Sequence, residues 1–171
     1  MAYWIIVAAK DKKDPSVSGE AKWAKRKEDC FWGVPETARG AKEINAGDKA
    51  LFYLGAPAKC LIGPVQVLST IHNLTPKEKS KLWKESVAFT ANQGFFFRAD
   101  DEDLGQVVVP ELVKKVDLSF IKNKKNWQFS FHTSALQITE SDYKTIVKAM
   151  SNEPEEGPSI FQDLREDLVM K

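Results

Sequence analysis

The sequence has few of the cysteine and histidine residues that metal-binding and disulfide-rich proteins need. Its 171 residues include two cysteines, Cys30 and Cys60, and two histidines, His72 and His132. None of these shares the close spacing, such as C-x-x-C or H-x-x-x-H, that is typical of zinc ligands, so we expect no metal and no cofactor. Two thiols cannot form a disulfide framework, which favours a reducing, cytoplasmic compartment.

Signatures of several other classes are also missing. The sequence has no glycine-rich phosphate loop and no G-x-S-x-G motif, which argues against nucleotide hydrolysis and a serine nucleophile. No apolar run reaches the roughly 18 residues that span a bilayer. The segment 3–7 is typical of a strand rather than a signal peptide, so we expect no membrane partner. We expect a non-catalytic protein, and a hydrolase or transferase using Cys60, Cys30 or His132 stays open as an alternative.

The hydrophobic pattern predicts an α+β fold. Apolar runs predict strands at 3–9, 49–54, 59–70, 94–98 and 107–109, and an aromatic alternation adds 127–131. Helices are predicted at 20–28, after a capping box formed by Thr75 and Glu78, and at 140–150, where one face holds Tyr143, Ile146, Val147 and Met150. Strands and helices do not alternate strictly. The pattern therefore indicates a small curved mixed sheet or β-barrel with helices packed around it.

Charge divides the chain into two parts. The net charge is +1, yet residues 153–171 hold six acids and two bases, together with prolines and a glycine. We expect one domain at 1–152, followed at 153–171 by an acidic linker and a short amphipathic tail that leads to an absent downstream module. The body is modestly basic, which is compatible with a polyanion partner.

Tryptophan is the abundant residue that needs an explanation, with five copies in the chain. Trp4 and Trp127 lie in strand-like runs and are expected in the core. Trp23, Trp32 and Trp83 lie in basic or turn-rich segments outside the predicted strands. Flat rings beside lysines suit the stacking of nucleobases with phosphates held nearby. For Trp32, in the predicted turn at 31–33, packing back into the core is the open alternative, and for Trp23 anchoring of its helix is favoured.

Several motifs, taken in order, resemble the EVE and YTH branches of the PUA-like superfamily. The resemblance spans roughly residues 3–150 and rests on these segments: Tyr3-Trp4-Ile5-Ile6-Val7, Phe31-Trp32-Gly33-Val34, Ala46-Gly47-Asp48-Lys49-Ala50-Leu51-Phe52-Tyr53, Ile62-Gly63-Pro64-Val65-Gln66-Val67, Lys81-Leu82-Trp83-Lys84, and residues 128–150. Each motif alone is weak, and their order and spacing make the match more specific.

The resemblance implies a pocket that takes a flipped, modified nucleobase, with 6-methyladenine in DNA as the first expectation. The implied base-binding residues are Trp32, Trp83, Gly33, Val34, Ala9 and Lys10, and the implied phosphate-binding residues are Lys12, Lys13, Lys25, Arg26, Lys27 and Arg39. The family often has serine after the cage tryptophan, and here Gly33 stands there, which leaves the base identity open.

The same resemblance implies a biological setting. Related domains stand at the N-terminus of McrB-type methylation-dependent restriction proteins, so we expect methylated DNA as partner, with a fused or associated AAA+ GTPase and nuclease subunits. An RNA-binding module of the YTH or EVE type is the alternative.

Overall fold

The computed structural model describes residues 1–10, 14–38, 40–82 and 92–151. Eight strands lie in these ranges: β1 (Tyr3–Ala8), β2 (Phe31–Gly33), β3 (Lys49–Leu54), β4 (Cys60–Val67), β5 (His72–Asn73), β6 (Gln93–Arg98), β7 (Gly105–Val108) and β8 (Ala135–Ile138). They are joined by four α-helices, α1 (Gly19–Asp29), α2 (Pro76–Leu82), α3 (Val109–Lys115) and α4 (Glu140–Ser151), and by two 3-10 helices (Gly40–Glu43 and Lys124–Phe131).

The strands form one curled mixed sheet in the order β2-β6-β4-β3-β1-β8, with β5 paired to β6 and β7 paired to β4. The neighbouring strands β1 and β3 are parallel, from Tyr3 opposite Lys49 to Ala8 opposite Leu54. The other pairs in the described chain are antiparallel. The predicted α+β fold with a curved mixed sheet is confirmed.

Strands β1 and β3 are buried on both faces, which explains their continuous apolar runs. Along β1, Trp4 and Ile6 face one hydrophobic cluster, whereas Tyr3 and Ile5 face another. We call these the first and the second cluster. β3 alternates in the same way, so a one-residue slip in the pairing would exchange the residues of the two clusters.

Helix α1 packs on the first cluster through one large apolar side chain. Trp23 is 1% exposed, and its ring centroid lies 4.7 Å from that of Phe52 and 5.9 Å from that of Phe97. The helix begins after Ser18, whose hydroxyl accepts a hydrogen bond from the Ala21 amide at 3.1 Å. The prediction that Trp23 anchors this helix to the body is confirmed.

Helix α4 packs on the second cluster through the predicted face. Tyr143, Ile146 and Met150 are buried, and Val147 is half-buried. Helix α2 begins with the predicted capping box, since the Glu78 amide donates to the Thr75 hydroxyl and the Thr75 amide donates to the Glu78 carboxylate, each at 3.2 Å.

The strand predicted at 127–131 is wrong, because this segment is a 3-10 helix kinked at Asn126. Trp127 and Phe131 are buried four residues apart, which is a helical spacing. Phe129 lies between them and is 68% exposed. The aromatic alternation in the sequence therefore does not correspond to one face of a strand.

A buried carboxylate ties the start of β1 to the turn before β3. Asp48 is 4% exposed and accepts hydrogen bonds from the Ala2 amide, the Trp4 indole and the Asn45 amide, each at 2.9 Å. Burial alone would raise the pKa of Asp48, but the three donors outweigh it, so this pKa lies below its usual value.

Replacing Asp48 should destabilise the protein in a pH-dependent way. We expect Asp48→Asn to lower the free energy of unfolding at pH 7 by about 2–3 kcal/mol, because an amide cannot accept from all three donors. A carboxylate with a lowered folded-state pKa contributes stability above its unfolded-state pKa of about 3.9, and loses that contribution as the pH falls through the folded-state pKa. The difference between variant and wild type should therefore narrow below about pH 4.

Urea unfolding between pH 2 and pH 7 measures this effect. The exposed Asp103, in the turn before β7, provides the matched control, and Asp103→Asn should leave stability nearly unchanged. Equal stability of Asp48→Asn and wild type at pH 7 would contradict the assigned role.

Candidate functional site

The first wall of the candidate site is the end of β1. The Ala8 carbonyl accepts a hydrogen bond from the Gly55 amide at 3.1 Å. A Cβ atom on Gly19 would lie 2.0 Å from that carbonyl oxygen, so the start of α1 packs directly on β1. Ala9 and Lys10 follow and are exposed. Small residues at this junction keep the backbone near the surface, where a ligand has access to it.

Trp32 lies in strand β2, so the prediction of a turn there is wrong. Trp32 pairs with Phe95 of β6, and its ring packs edge-on against Phe52 with centroids 4.9 Å apart. The side chain is 8% exposed and belongs to the first cluster. A strand of three residues ending in glycine is too short to show a period, which is why the sequence does not reveal it.

Backbone groups beside Trp32 are largely engaged. The Val34 amide donates to the Gln93 carbonyl at 3.0 Å, and Val34 is 3% exposed. Gly33 is half-buried and stands opposite Gly94. A Cβ atom on Gly94 would lie 2.2 Å from the Trp32 carbonyl oxygen and 2.3 Å from the Phe31 ring. Gly94 therefore permits the close approach of β2 to β6 and fixes the position of Trp32.

The segment that follows β2 packs against the start of β8, which in turn lies beside the end of β1. A Cβ atom on Gly40 would lie 3.4 Å from the Ala135 carbonyl oxygen. The Val7 amide donates to the Ser134 carbonyl at 3.0 Å, so the start of β8 runs beside the end of β1. We call the rim the segments 8–10, 32–38 and 134–135. Members of all three segments (Ala8, Trp32 and Ala135) belong to the first cluster.

The basic residues of α1 differ in how accessible they are. Lys25 is half-buried and lies 3.7 Å from Asp29, and Lys27 forms an ion pair with Asp101. Arg26 is 5% exposed, and burial lowers its pKa to about 10 against the opposing charge of Asp29. The burial of Arg26 does not fit the expected phosphate contact.

Four expected site residues lie outside the described part of the chain. They are Lys12, Lys13, Arg39 and Trp83. The geometry of a two-tryptophan cage is therefore a prediction here, with Trp32 as its described member.

The sequence analysis missed two residues that shape the site. The role of Asp48 follows from its three donors, and only the motif of residues 46–53 pointed to this position. The role of Gly94 depends on how close β2 comes to β6. A glycine at the start of an aromatic strand (Gly94-Phe95-Phe96-Phe97) was the available signal for a close backbone approach.

Residues considered for other chemistry are placed as follows. Cys60 is 1% exposed, and the exposed Cys30 has its thiol 3.6 Å from the Lys27 carbonyl oxygen. Burial, with Cys60 nearby, raises the pKa of Tyr53 to about 12. Within the described ranges, no three metal-ligating side chains gather at one place, and no helix is long and apolar enough to cross a bilayer.

Comparison with known proteins identifies the family. The EVE domain family model matches residues 2–149. The chain belongs to the EVE domain family. A UPF0310 protein of Pyrococcus abyssi is similar, with 28% identity over 157 residues that cover 85% of this chain and 97% of the relative.

Two solved structures share the fold of this EVE domain. Human THYN1 protein, in complex with 5-methylcytosine containing DNA, has a TM-score of 0.56 and 13% identity, over 90% of this chain and 100% of that chain. The YTH domain of Zygosaccharomyces rouxii MRB1 protein, in complex with N6-methyladenosine RNA, has a TM-score of 0.54 and 14% identity, over 94% of this chain and 90% of that chain. The expected PUA-like fold of the EVE and YTH type is thus confirmed.

Gly94 provides a test of the close packing beside Trp32. We expect Gly94→Ala to lower the free energy of unfolding by about 1–3 kcal/mol, because the new methyl group meets backbone that cannot move freely. Gly40→Ala is the matched control, since its methyl group would meet only the Ala135 oxygen at ordinary contact distance. Its effect on urea unfolding should stay below about 1 kcal/mol. Equal effects of the two substitutions would contradict this assignment.

Proposed function

We propose that this EVE domain is a non-catalytic reader of a methylated nucleobase, with 6-methyladenine in DNA as the first candidate. The observation that carries the proposal is the fold shared with two proteins of different branches. One was solved with 5-methylcytosine DNA and the other with N6-methyladenosine RNA. Their shared fold supports nucleic acid as the partner class. Because the two proteins bind different modified bases, the base that this domain prefers must be determined by experiment.

Trp32 is the proposed stacking wall, and Trp83 is the proposed second wall. Trp32 belongs to the rim and is 8% exposed, and a base entering there would extend the aromatic packing of Trp32 on Phe52. Flipping a base costs a few kcal/mol, and each aromatic stack contributes about 1–3 kcal/mol. Two walls are therefore sufficient to offset the cost of flipping.

The polar edge of the base would be read at the exposed end of β1. Ala9 and Lys10 are accessible there, whereas the Val34 amide is already bonded to Gln93. We propose Ala9, Lys10 and Gly33 as the polar contacts, and Val34 as packing beneath them. Backbone contacts of this kind would hold a methylated base without the serine that Gly33 replaces.

For the wider setting, we propose a specificity domain of a methylation-dependent restriction system. Residues 1–152 would be the reader, and 153–171 would connect it to a module such as an AAA+ GTPase that works with a nuclease. Catalysis would then reside in the partner modules. Pull-down of the full-length natural protein with methylated DNA, followed by a GTPase assay, tests this setting independently of the pocket.

Substitution of Trp32 tests the pocket. We expect Trp32→Ala to abolish the preference for a methylated over a plain oligonucleotide, measured by fluorescence anisotropy. Because loss of a buried tryptophan costs about 3–5 kcal/mol of stability, circular dichroism must first show a folded variant. Trp32→Phe keeps more of the packing and should weaken methylated-strand binding about tenfold.

Tyr143→Phe is the matched control, since Tyr143 is 6% exposed but packs in the second cluster, on α4. It should leave binding unchanged. A folded Trp32→Ala that still discriminates as the wild type does would exclude the proposed pocket.

Lysines of α1 should act on affinity without affecting base choice. We expect Lys25→Ala and Lys27→Ala to weaken the binding of methylated and plain duplexes alike. Each lost phosphate contact should reduce the slope of log K against log salt by about 0.9. Lys148→Ala on the outer face of α4 is the control and should change neither quantity. An unchanged slope in both α1 variants would count against their role as phosphate contacts.

An RNA reader is the second candidate, favoured by the fold shared with the RNA-bound YTH domain. Titrations with DNA and RNA of one sequence, each carrying 6-methyladenine, 5-methylcytosine or no modification, distinguish the candidates. Tighter binding of methylated RNA than of methylated DNA would replace the first candidate by the second.

A further inference from the structure

A second aromatic surface lies five residues before the rim in the chain, and the proposed pocket does not use it. Phe129 is 68% exposed and is the one aromatic among the large, exposed hydrophobic residues of the described chain. Its ring meets that of His132 edge-on, with centroids 5.3 Å apart. Exposing a phenylalanine to water has a free-energy cost that a structural role does not explain, because its neighbours Trp127 and Phe131 already anchor the segment.

The segment that carries Phe129 is held in place on both sides. The Asn123 side chain caps it by accepting from the Lys125 amide at 2.9 Å. The Ser130 hydroxyl donates to the Phe120 carbonyl at 3.1 Å. Trp127 and Phe131 are 6% and 5% exposed. Phe129 therefore stands on a fixed backbone and would lose little entropy on stacking.

Charge around Phe129 is predominantly positive. Residues 114–132 contain five lysines and a single acid, Asp117. Lys122, Lys124 and Lys125 are exposed in the turn that leads to Phe129. Lys124 pairs with Asp117 at 2.7 Å, and neither Lys122 nor Lys125 forms an ion pair with the described residues. An aromatic ring flanked by lysines suits a single-stranded nucleic acid, because the ring can stack on a base while the lysines contact phosphates.

A short segment of chain connects this surface to the rim. Ser134, two residues after His132, accepts the hydrogen bond from the Val7 amide. Ala9 lies two residues beyond Val7 on the antiparallel neighbour. Fully extended chain advances by at most about 3.6 Å per residue, so Phe129, five residues before Ser134, lies within about 18 Å of the pair that joins β8 to β1. A nucleic acid with one base in the pocket would therefore have a nearby nucleotide within reach of Phe129.

We infer that the surface binds a nucleic-acid strand. A nucleotide flanking the flipped base stacks on Phe129, next to His132, and its phosphates are held by Lys122, Lys124 and Lys125. This inference rests on the proposed function for the position of the strand. It adds a contact that is independent of methylation and that extends the footprint beyond the single base.

Three probes test the surface: a labelled single-stranded 12-mer with one methylated base, the same strand without the methyl group, and the free methylated nucleoside. We expect Phe129→Ala to weaken both 12-mers about tenfold and to leave nucleoside binding unchanged. Phe129→Trp should restore or strengthen 12-mer binding. Lys125→Gln should weaken the binding of both 12-mers and should reduce the slope of log K against log salt by about 0.7 for the lost phosphate contact.

Leu68→Ala and Lys148→Gln are the matched controls, because Leu68 is 50% exposed and Lys148 is exposed on α4. Both should bind all probes as the wild type does. Unchanged 12-mer binding by Phe129→Ala overturns the inference and leaves the methyl-base reader intact. Equal wild-type binding of the two 12-mers, with a loss in Phe129→Ala, supports the surface and contradicts the reader. A wild type that binds neither strand overturns both.

Discussion

The hydrogen bonds to the Asp48 carboxylate set the position of the strand on which the rest of the sheet depends. They fix the amides of Ala2 and Asn45 and the indole of Trp4 around one buried charge. β1 is thereby placed in register with β3, and β8 pairs with its other edge. An indole nitrogen buried in an apolar cluster needs an acceptor, and Asp48 supplies it. The first cluster can therefore include Trp4 without leaving a polar group unsatisfied.

The site depends on that register through backbone contacts more than through side chains. The Ala8 carbonyl meets the start of α1 and the Gly55 amide, which leaves Ala9 and Lys10 at the surface. Trp32 reaches the same cluster from β2, held by the close approach that Gly94 allows. The rim is thus formed where the ends of distant segments meet, which is common for binding sites built on a rigid sheet.

Sequence patterns predicted the helices and strands that are long enough to show a clear hydrophobic period. β3 and α4 were located within a residue or two, and the capping box at Thr75 and Glu78 was predicted correctly. Two short elements were not predicted. β2 has only three residues, too few to show a period, and the 3-10 helix at 124–131 has an aromatic alternation that suggests a strand. Of the site, Trp32 was singled out for its composition, but its burial depends on Phe52, a contact between distant positions that no local pattern encodes.

The parallel pairing of β1 with β3 has a consequence for the order of folding. Tyr3 pairs with Lys49, and α1, β2 and the first 3-10 helix lie in the intervening chain. β1 leaves the ribosome first, yet it has no partner until β3 has been made, and its other edge remains open until β8 follows. Contacts of such long sequence separation form slowly, since loop closure precedes the gain from pairing. The strand that carries the first wall of the rim is therefore synthesised before the other strands of the domain but is fully paired only after β8, so the binding site forms only when nearly the whole domain is present.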